Sequence, residues 1–551
     1  MSNSRLIRGT FLLTAATMIS RVLGLIYYFP FIWLVGIQGA ALYAYAYNPY
    51  VILLSVATVG LPLAVSKFVS KYNALGDYRT GRKLFRSGIV VMLATGFVTF
   101  LMLFLSADAI APLFIGEGDE TGNSLEDVAF VIKVVSFALL AVPVMSLIRG
   151  YFQGFESMGP TATSQVVEQI VRIAFILVSG FIIVVLLKGD RTTAVAFAVF
   201  AAFIGALGGL AVLFYYWRKR KPHLDKLIAE STVDHQISLP EMYKELISYA
   251  IPFVIVGLAI PIYQQIDTMT MVKTLKSIGM AQVDAEAIYA TVNQTTNKII
   301  MIPVSLATAL GLTLIPTITK TYTSGNLKML QQQITQTFQM LLFLTLPAVV
   351  GLAVLSYPAY GTLYGMGDVA SGGQLLRWYA PTAVLFALFT AMAAILQGIN
   401  QQKLAVLSLL CGILIKLLLN TPFIEKWGGI GAILATDAGY LFSVVFCLLV
   451  IKKMIRFRLR FVAKRALLIS IFVTVMGIAA WLIKLPIELI FSGDYGDGAS
   501  YFEALLSLII GIAGGSFVYL WLSIRSHLAG QIFGHRFAFL NKKVKSKSRN
   551  L

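Results

Sequence analysis

Long apolar runs recur along the whole of this sequence and constrain its fold more than any other feature. A helix needs about 20 mostly apolar residues to cross a bilayer, and about 14 segments of this kind occur here. Helices suit such segments because they satisfy their backbone hydrogen bonds internally. We therefore predict an all-α polytopic membrane protein. Its spans lie near 9–35, 41–66, 84–107, 128–148, 161–187, 193–217, 247–272, 287–318, 334–356, 375–397, 404–424, 429–451, 466–485 and 503–525.

The composition supports lipid as the solvent of this chain. Charged residues make up 13% of the 551 residues, whereas about 25% is typical of soluble proteins. The net charge of +19 does not indicate nucleic acid, because the basic residues lie in short loops between apolar runs. Two cysteines inside apolar runs and four scattered histidines predict neither a disulfide framework nor a metal site.

The loops alternate in charge, and this alternation predicts the topology. The loops after the second, sixth and twelfth spans are basic and include Arg82, Lys219 and Arg458. The loops after the third and thirteenth spans are acidic and include Asp119 and Asp497. Since Lys and Arg collect on the cytoplasmic side, we expect a multi-pass protein of the cell membrane with both termini in the cytoplasm.

Two short motifs occur twice in the same order and indicate an internal repeat. The stretch 55–60 is similar to 305–311, and Gln153-Gly154 is similar to Gln397-Gly398. Parallel repeats of six helices are related by an axis along the membrane normal, with the binding site between the halves. We therefore predict two six-helix lobes and two extra C-terminal helices. The boundaries are an N-lobe at 1–220, a cytoplasmic linker at 221–245, a C-lobe at 246–455, and helices 13–14 with a basic tail at 456–551.

Several ionisable residues lie near the middle of predicted spans, where each costs about 2.5–3.5 kcal/mol on insertion scales and usually faces a protein interior or water. Cations outnumber acids in this set, which consists of Arg21, Arg172, Lys298, Lys416, Glu168 and Asp437. An excess of buried cations needs a compensating anion. A transported phosphate would supply it.

Each of these residues also has a structural explanation. Glu168 and Arg172 are four residues apart on one helix and could neutralise each other, while Arg21 and Lys416 could extend along their helices toward water. Lys298 follows the polar run 293–297, which favours a wet cavity. Asp267 lies near the outer end of the seventh span, where it is either a headgroup-level residue or a gate. We class Asp267 and Asp437 as candidate gate or coupling residues.

No motif for energy coupling by a nucleotide is present in this sequence. The stretch 76–83 is a near miss for a phosphate-binding loop, but it lacks the Gly-Lys-Ser/Thr ending. We expect no cofactor, so the driving force would be an ion gradient, the membrane potential or substrate flux.

Four stretches together resemble the MurJ/SpoVB (YtgP-like) flippases of the multidrug/oligosaccharidyl-lipid/polysaccharide exporter superfamily. They are 20–25 (SRVLGL), 60–67 (GLPLAVSK), 149–154 (RGYFQG) and 168–172 (EQIVR). The resemblance covers the whole chain, including the helix count. It implies a V-shaped pair of lobes around a central cavity, and flipping of lipid II by alternating access. Helices 13 and 14 then resemble the pair whose groove is thought to take the lipid tail.

The resemblance carries over to individual residues only in part. Arg21 matches the Ser-Arg motif of the first helix, and Lys298 occupies the position of a motif arginine in the eighth. Tyr27 and Tyr28 replace an Arg-Asp pair, and Asn48 stands where the second helix usually has arginine. These departures indicate the Gram-positive-type branch of the family. Arg172 and Lys416 could supply the missing charge. We therefore predict a substrate site formed by Arg21, Asn48, Glu168, Arg172, Lys298 and Lys416.

The function predicted from the sequence is transport, not enzymatic catalysis. The expected partners are an undecaprenyl-pyrophosphate-linked muropeptide, membrane lipids, and proteins of cell wall synthesis or division, with no nucleic acid. An exporter of another lipid-linked oligosaccharide, or a sporulation-specific relative, is the main alternative. A cation-coupled drug exporter predicts an acidic cavity, and a membrane enzyme predicts clustered histidines or carboxylates. Neither pattern is found in this sequence.

Overall fold

The fold is helical throughout the part of the chain that can be described. In the computed structural model, that part comprises residues 2–58, 61–116, 122–231, 238–457, 459–490 and 500–533. Eleven helices within it are long and apolar enough to cross a membrane. The predicted all-α membrane fold is confirmed, and a total of about 14 spans is compatible with these eleven.

Internal contacts divide the chain into two compact units, Met1–Ala290 (unit 1) and Thr291–Leu551 (unit 2). The division into lobes at 220 and 246 stays a prediction. The helices of unit 1 are α1 (Ser2–Ile26), α2 (Tyr28–Thr58), α3 (Leu61–Ala74), α4 (Tyr78–Ile115), α5 (Leu125–Ser136), α6 (Ala138–Gly154), α7 (Met158–Phe181, followed by a π-helical turn Ile182–Leu186), α8 (Arg191–Ala229), α9 (Leu239–Gly257), α10 (Ala259–Ser277) and α11 (Gln282–Ala290).

Unit 2 begins with a π-helical turn, Thr291–Thr296, that continues directly into α12. The predicted eighth span therefore consists of α11, this turn and α12. The helices of unit 2 are α12 (Asn297–Thr323), α13 (Leu327–Val354), α14 (Ser356–Tyr364), α15 (Val369–Tyr379), α16 (Thr382–Gly398), α17 (Gln402–Trp427), α18 (Gly429–Ile455), α19 (Leu459–Ile490), α20 (Tyr501–Arg525) and α21 (Leu528–Phe533).

One break interrupts the first predicted span, 9–35, and a second falls between the first and second predicted spans, where a boundary was expected. The first break separates α1 from α2 at Tyr27. The second lies inside α2 at Gly36, whose φ of 70° and ψ of −178° are not helical. Glycine adopts a positive φ without the steric cost that a Cβ atom would impose. The chain can therefore change direction at Gly36.

Small residues allow α7 and α8 to pack closely in unit 1. A Cβ atom at Gly205 would lie 3.0 Å from the carbonyl oxygen of Glu168. One at Gly209 would lie 3.2 Å from the Oγ atom of Ser164 on α7. Close backbone approach at small residues is the usual basis of helix association in membranes. The contact holds the face of α7 that carries Glu168 and Arg172 against α8.

The predicted topology can be tested with single cysteines in a background where Cys411 and Cys447 are serine. We expect an impermeant thiol reagent to label Glu126→Cys in intact cells and to label Lys452→Cys only after permeabilisation. Both side chains are exposed, so access is decided by the membrane and not by burial. Labelling of both positions in intact cells would exclude the topology. Asp119, Asp497 and Arg458, which belong to the charged loops, lie outside the described residues.

Candidate functional site

Arg172 lies among tyrosines in unit 1. Its Nη2 atom donates a hydrogen bond to the Tyr43 hydroxyl at 3.1 Å. Its Cζ atom is 5.3 Å from the ring centroid of Tyr47, and the Tyr43 and Tyr47 rings stack at 5.3 Å. A guanidinium over an aromatic face is stabilised by the quadrupole of the ring. The tyrosines therefore hold this cation in a fixed position without neutralising it.

One donor of Arg172 remains available. Its Nε atom is buried and has no hydrogen-bond partner in the described part of the chain. A buried donor without a partner loses the hydration it would have in water, at a cost of about 1–3 kcal/mol. An anion that reached this guanidinium would recover that cost. The geometry therefore favours Arg172 as an anion contact.

Glu168 pairs with Arg149, the first residue of the motif 149–154, for which the sequence predicted no ion pair. Its Oε2 atom accepts a hydrogen bond from Arg149 Nη2 at 2.7 Å, forming an ion pair between α6 and α7. Arg149 also donates to Ser164 Oγ from Nη2 at 2.8 Å. The interpretation in which Glu168 neutralises Arg172 is therefore wrong. The Glu168 carboxylate forms its ion pair with Arg149, and Arg172 contacts the tyrosines. Glu168 thus positions Arg149, and no carboxylate among the described residues forms an ion pair with Arg172.

Asn48 joins three helices of unit 1. Its Nδ2 atom donates to Thr268 Oγ1 at 2.9 Å and to the Tyr289 hydroxyl at 3.4 Å. The Thr268 and Tyr289 hydroxyls are themselves 2.8 Å apart. Asn48 and the neighbouring Asp267 are both buried. The hydrogen bonds of Asn48 thus link α2 to α10 and α11, which is a positioning role inside unit 1.

Arg21 differs from the other site residues in being exposed on α1. The preceding turn of α1 contacts α7 through polar atoms. Thr17 Oγ1 lies 3.3 Å from Gln165 Oε1, and Ser20 Oγ donates to the Gln165 carbonyl at 3.4 Å. These contacts hold α1 against α7 just before Arg21, whose side chain is exposed.

Lys298 follows a buried polar turn in unit 2. The residues of the turn, Thr291–Thr296, are all buried, as is Asn297, while Lys298 is half-buried. Asn297 Nδ2 donates to the Tyr379 hydroxyl at 3.1 Å, and the Tyr364 hydroxyl donates to the Thr295 carbonyl at 3.0 Å. The sequence suggested that this polar run lines a wet cavity. Two of these polar residues, Thr295 and Asn297, bond to tyrosines of unit 2, and the wet cavity stays a prediction.

Lys416 is fully buried in unit 2 and holds two helices together. Its Nζ atom donates to Thr436 Oγ1 at 2.6 Å and to the Ala432 carbonyl at 3.3 Å. Thr436 and Ala432 lie on α18. Asp437 on that helix accepts a hydrogen bond from Thr382 Oγ1 at 2.6 Å. Lys416 also acts electrostatically on Asp437. The structure therefore brings Lys416 and Asp437 into one cluster between α16, α17 and α18.

Sequence reasoning missed a buried acid near the predicted outer side of unit 1. Glu286 is fully buried on α11. Its Oε2 atom accepts hydrogen bonds from the backbone N and the Nδ2 atom of Asn123, at 3.0 and 2.8 Å. Gln282 Nε2 donates to its Oε1 atom at 3.2 Å. An acid at the end of a predicted span is normally a headgroup-level residue, so nothing in the sequence marked this one as a contact with the loop between α4 and α5.

Two family models match the chain in overlapping segments. The model described as "Polysaccharide biosynthesis protein" matches residues 6–322. The model described as "Lipid II flippase MurJ" matches residues 180–491. The second match alone covers more than half of the chain and includes α12–α18, the helices that carry Lys298, Lys416 and Asp437.

One relative gives the same family assignment, and a solved structure shows the same fold. The chain is 47% identical over 536 residues to the lipid II flippase MurJ of Bacillus subtilis (strain 168), covering 97% of this chain and 98% of that protein. It is 25% identical over 419 residues to stage V sporulation protein B of the same organism, covering 76% of this chain and 77% of that protein. A solved structure of lipid II flippase MurJ in an inward closed conformation has the same fold, with a TM-score of 0.64 at 16% identity over 94% of this chain and 99% of that one. The chain belongs to the MurJ family of lipid II flippases.

Proposed function

We propose that this protein flips lipid II, the undecaprenyl-pyrophosphate-linked peptidoglycan precursor, from the inner to the outer leaflet of the cell membrane. The observation that carries this proposal is the 47% identity to a lipid II flippase over almost the whole of both chains. The sporulation protein is far less similar, at 25%, so a role in cell wall synthesis during growth is favoured over one in sporulation.

The chemistry of the site supports a pyrophosphate substrate. A pyrophosphate must lose much of its hydration to cross the bilayer, and fixed cations can replace part of that hydration. Arg172 supplies a guanidinium held by tyrosines with a buried free donor. Two further cations are Lys298, which is half-buried, and Arg21, which is exposed. We assign these three residues to direct substrate contact and Asn48 and Glu168 to positioning.

A groove in unit 2 suits the lipid tail. It has a volume of about 430 Å³ and lies between α13 and α19, with Val350, Val354, Ile478 and Trp481 among its apolar lining. Arg377 and Lys484 are part of the same lining. Lys484 is ion-paired with Glu488 at 2.8 Å, whereas Arg377 is exposed. An apolar groove with an exposed cation fits an isoprenoid chain that ends in a phosphate. This supports the assignment of α19 and α20 to the tail-binding pair that the family resemblance implies.

The Lys416–Asp437 cluster is the best candidate for coupling to an ion gradient or the membrane potential. Ionisable groups within spans that pair with one another are typical of proton and ion relays. Because the Lys416 ammonium is fully buried and already bonded to Thr436 and Ala432, we assign it to this cluster and not to direct contact with substrate. The alternating-access cycle, the cytoplasmic termini and contacts with cell wall synthesis or division proteins belong to the same proposal.

Complementation tests the function directly. We expect the chain to restore growth and rod shape to a Bacillus strain in which the host lipid II flippase is depleted, because both proteins would transport lipid II. Expression is confirmed by immunoblot. A drug exporter would leave the depleted cells inviable while raising resistance to cationic drugs, and a sporulation-specific relative would restore only spore formation. Either result would contradict the proposal.

A further inference from the structure

A basic cleft of about 530 Å³ opens in unit 1 where α4 begins and α8 ends. Its lining includes four cations and one carboxylate, namely Arg79, Arg82, Lys83, Arg86 and Asp225. The loop charges predict that this end of unit 1 faces the cytoplasm. The cleft is separate from Arg172, Arg21 and Asn48, and the proposed transport does not use it.

Arg82 is the fixed element of the cleft. It is only 8% exposed, and its Cζ atom lies 4.6 Å from the ring centroid of Trp217 on α8. Its Nη2 atom is 3.5 Å from Asp225 Oδ1. The Tyr151 hydroxyl interacts with the same guanidinium, but Nη1 is buried and has no hydrogen bond of ordinary geometry in the described chain. A buried guanidinium with a spare donor favours an anionic ligand.

The remaining charges leave the cleft strongly positive. The Asp225 side chain is 48% exposed and 3.5 Å from Arg82, so it compensates only part of one cation. Arg79 Nε donates to the Ile228 carbonyl near the end of α8 at 3.5 Å, where a cation complements the helix dipole. Lys83 and Arg86 are exposed. Their charges are available to a ligand.

The apolar surface beside the cleft indicates what kind of anion binds. Arg86, Val90, Leu93 and Phe97 follow one another on α4 at spacings of four, three and four residues, so they share one face of the helix. Val90, Leu93 and Phe97 are 66%, 52% and 53% exposed. An acyl chain could lie along this stripe while its phosphate reaches Arg86 and Lys83. Since α4 is a candidate membrane span, this face lies against lipid, and an anion bound at Arg86 and Lys83 would lie beside acyl chains.

We propose that this cleft binds the phosphate headgroup of an anionic phospholipid from the cytoplasmic leaflet, with an acyl chain along the exposed stripe of α4. Basic pockets between membrane helices on the cytoplasmic side are suited to such headgroups. The Trp217 indole lies at the same level, as is common at membrane interfaces. The inference does not depend on what the protein transports.

Native mass spectrometry of the full chain tests the proposal. The protein is released from micelles that contain equal amounts of phosphatidylglycerol and phosphatidylcholine, and the retained lipid is counted. We expect preferential retention of phosphatidylglycerol. The double variant Lys83→Gln, Arg86→Gln should weaken retention by about 25-fold, since each cation near the membrane surface contributes roughly a factor of five. Both side chains are exposed, so folding should be preserved.

The matched control is Arg218→Gln, Lys226→Gln, which removes the same charge from exposed positions on α8 outside the cleft. Retention should be nearly unchanged in this control and reduced again in Arg82→Gln. An equal loss in the control would mean non-specific attraction and overturn the proposal. Displacement of the lipid by millimolar inorganic phosphate would point to a soluble anion and also overturn it. Equal retention of both lipids would do the same.

Discussion

Replacing Arg172 by glutamine should slow lipid II flipping by about a hundredfold while leaving the protein folded. The substitution removes a charge-assisted contact, which is worth about 1.5–3 kcal/mol, and each 1.4 kcal/mol corresponds to a factor of ten in rate. Arg172→Lys should retain roughly a tenth of the activity, because lysine keeps the charge but lacks the planar fork that rests on Tyr47. Flipping is measured with purified protein in vesicles, alongside a direct binding assay for lipid II in detergent.

Two control variants separate the role of Arg172 from that of its neighbours. Tyr43→Phe removes the hydroxyl that accepts from Arg172 but keeps the ring, so a loss of only a few-fold is expected. The double variant Arg149→Gln, Glu168→Gln removes the neighbouring ion pair as a neutral unit and should fold and flip better than either single variant. If Arg172→Gln bound and flipped lipid II like the unmodified protein, Arg172 would have no place in the substrate site.

Replacing Lys298 by glutamate should abolish flipping more completely than any other single change considered for this protein. The hypothesis is that charge, more than shape, matters at this position, because lysine binds phosphate as a point charge. Lys298→Arg should therefore retain substantial activity. Lys298→Gln should lose at least about tenfold, and Lys298→Glu at least about a hundredfold, since the new carboxylate repels the pyrophosphate. Growth of the depleted strain and flipping in vesicles are the two measurements.

Lys320 provides the matched control for this series. It lies on the same helix, α12, near its C-terminal end, and is exposed. Lys320→Glu makes the same charge change and should support growth. Expression and membrane insertion of every variant are compared first, because lost protein would imitate lost function. A well-expressed Lys298→Glu protein that still supported growth would remove this lysine from the substrate site.

The fold class and the family of this protein could be predicted from its amino-acid sequence alone. The length and spacing of the apolar runs are set by the thickness of the bilayer, so they remain readable without a structure, and the all-α membrane fold follows from them. The motifs around Arg21, Pro62 and Gln153 pointed to the MurJ family, which the comparisons confirm. The cost of an ion at mid-depth also marked Arg172, Lys298 and Lys416 as unusual.

The partners of these residues, in contrast, depend on how the helices pack. Glu168 pairs with Arg149 and not with Arg172, because α6 presents a second guanidinium that sequence spacing along α7 cannot reveal. The side-chain nitrogens of Asn48 and Lys416 donate hydrogen bonds to other helices. Glu286 is buried and accepts a hydrogen bond from Asn123. In a membrane, hydropathy sets which segments enter, but packing sets which faces meet, and the charge balance of a site depends on those faces. That is why the sequence could locate the buried charges but could not assign their partners.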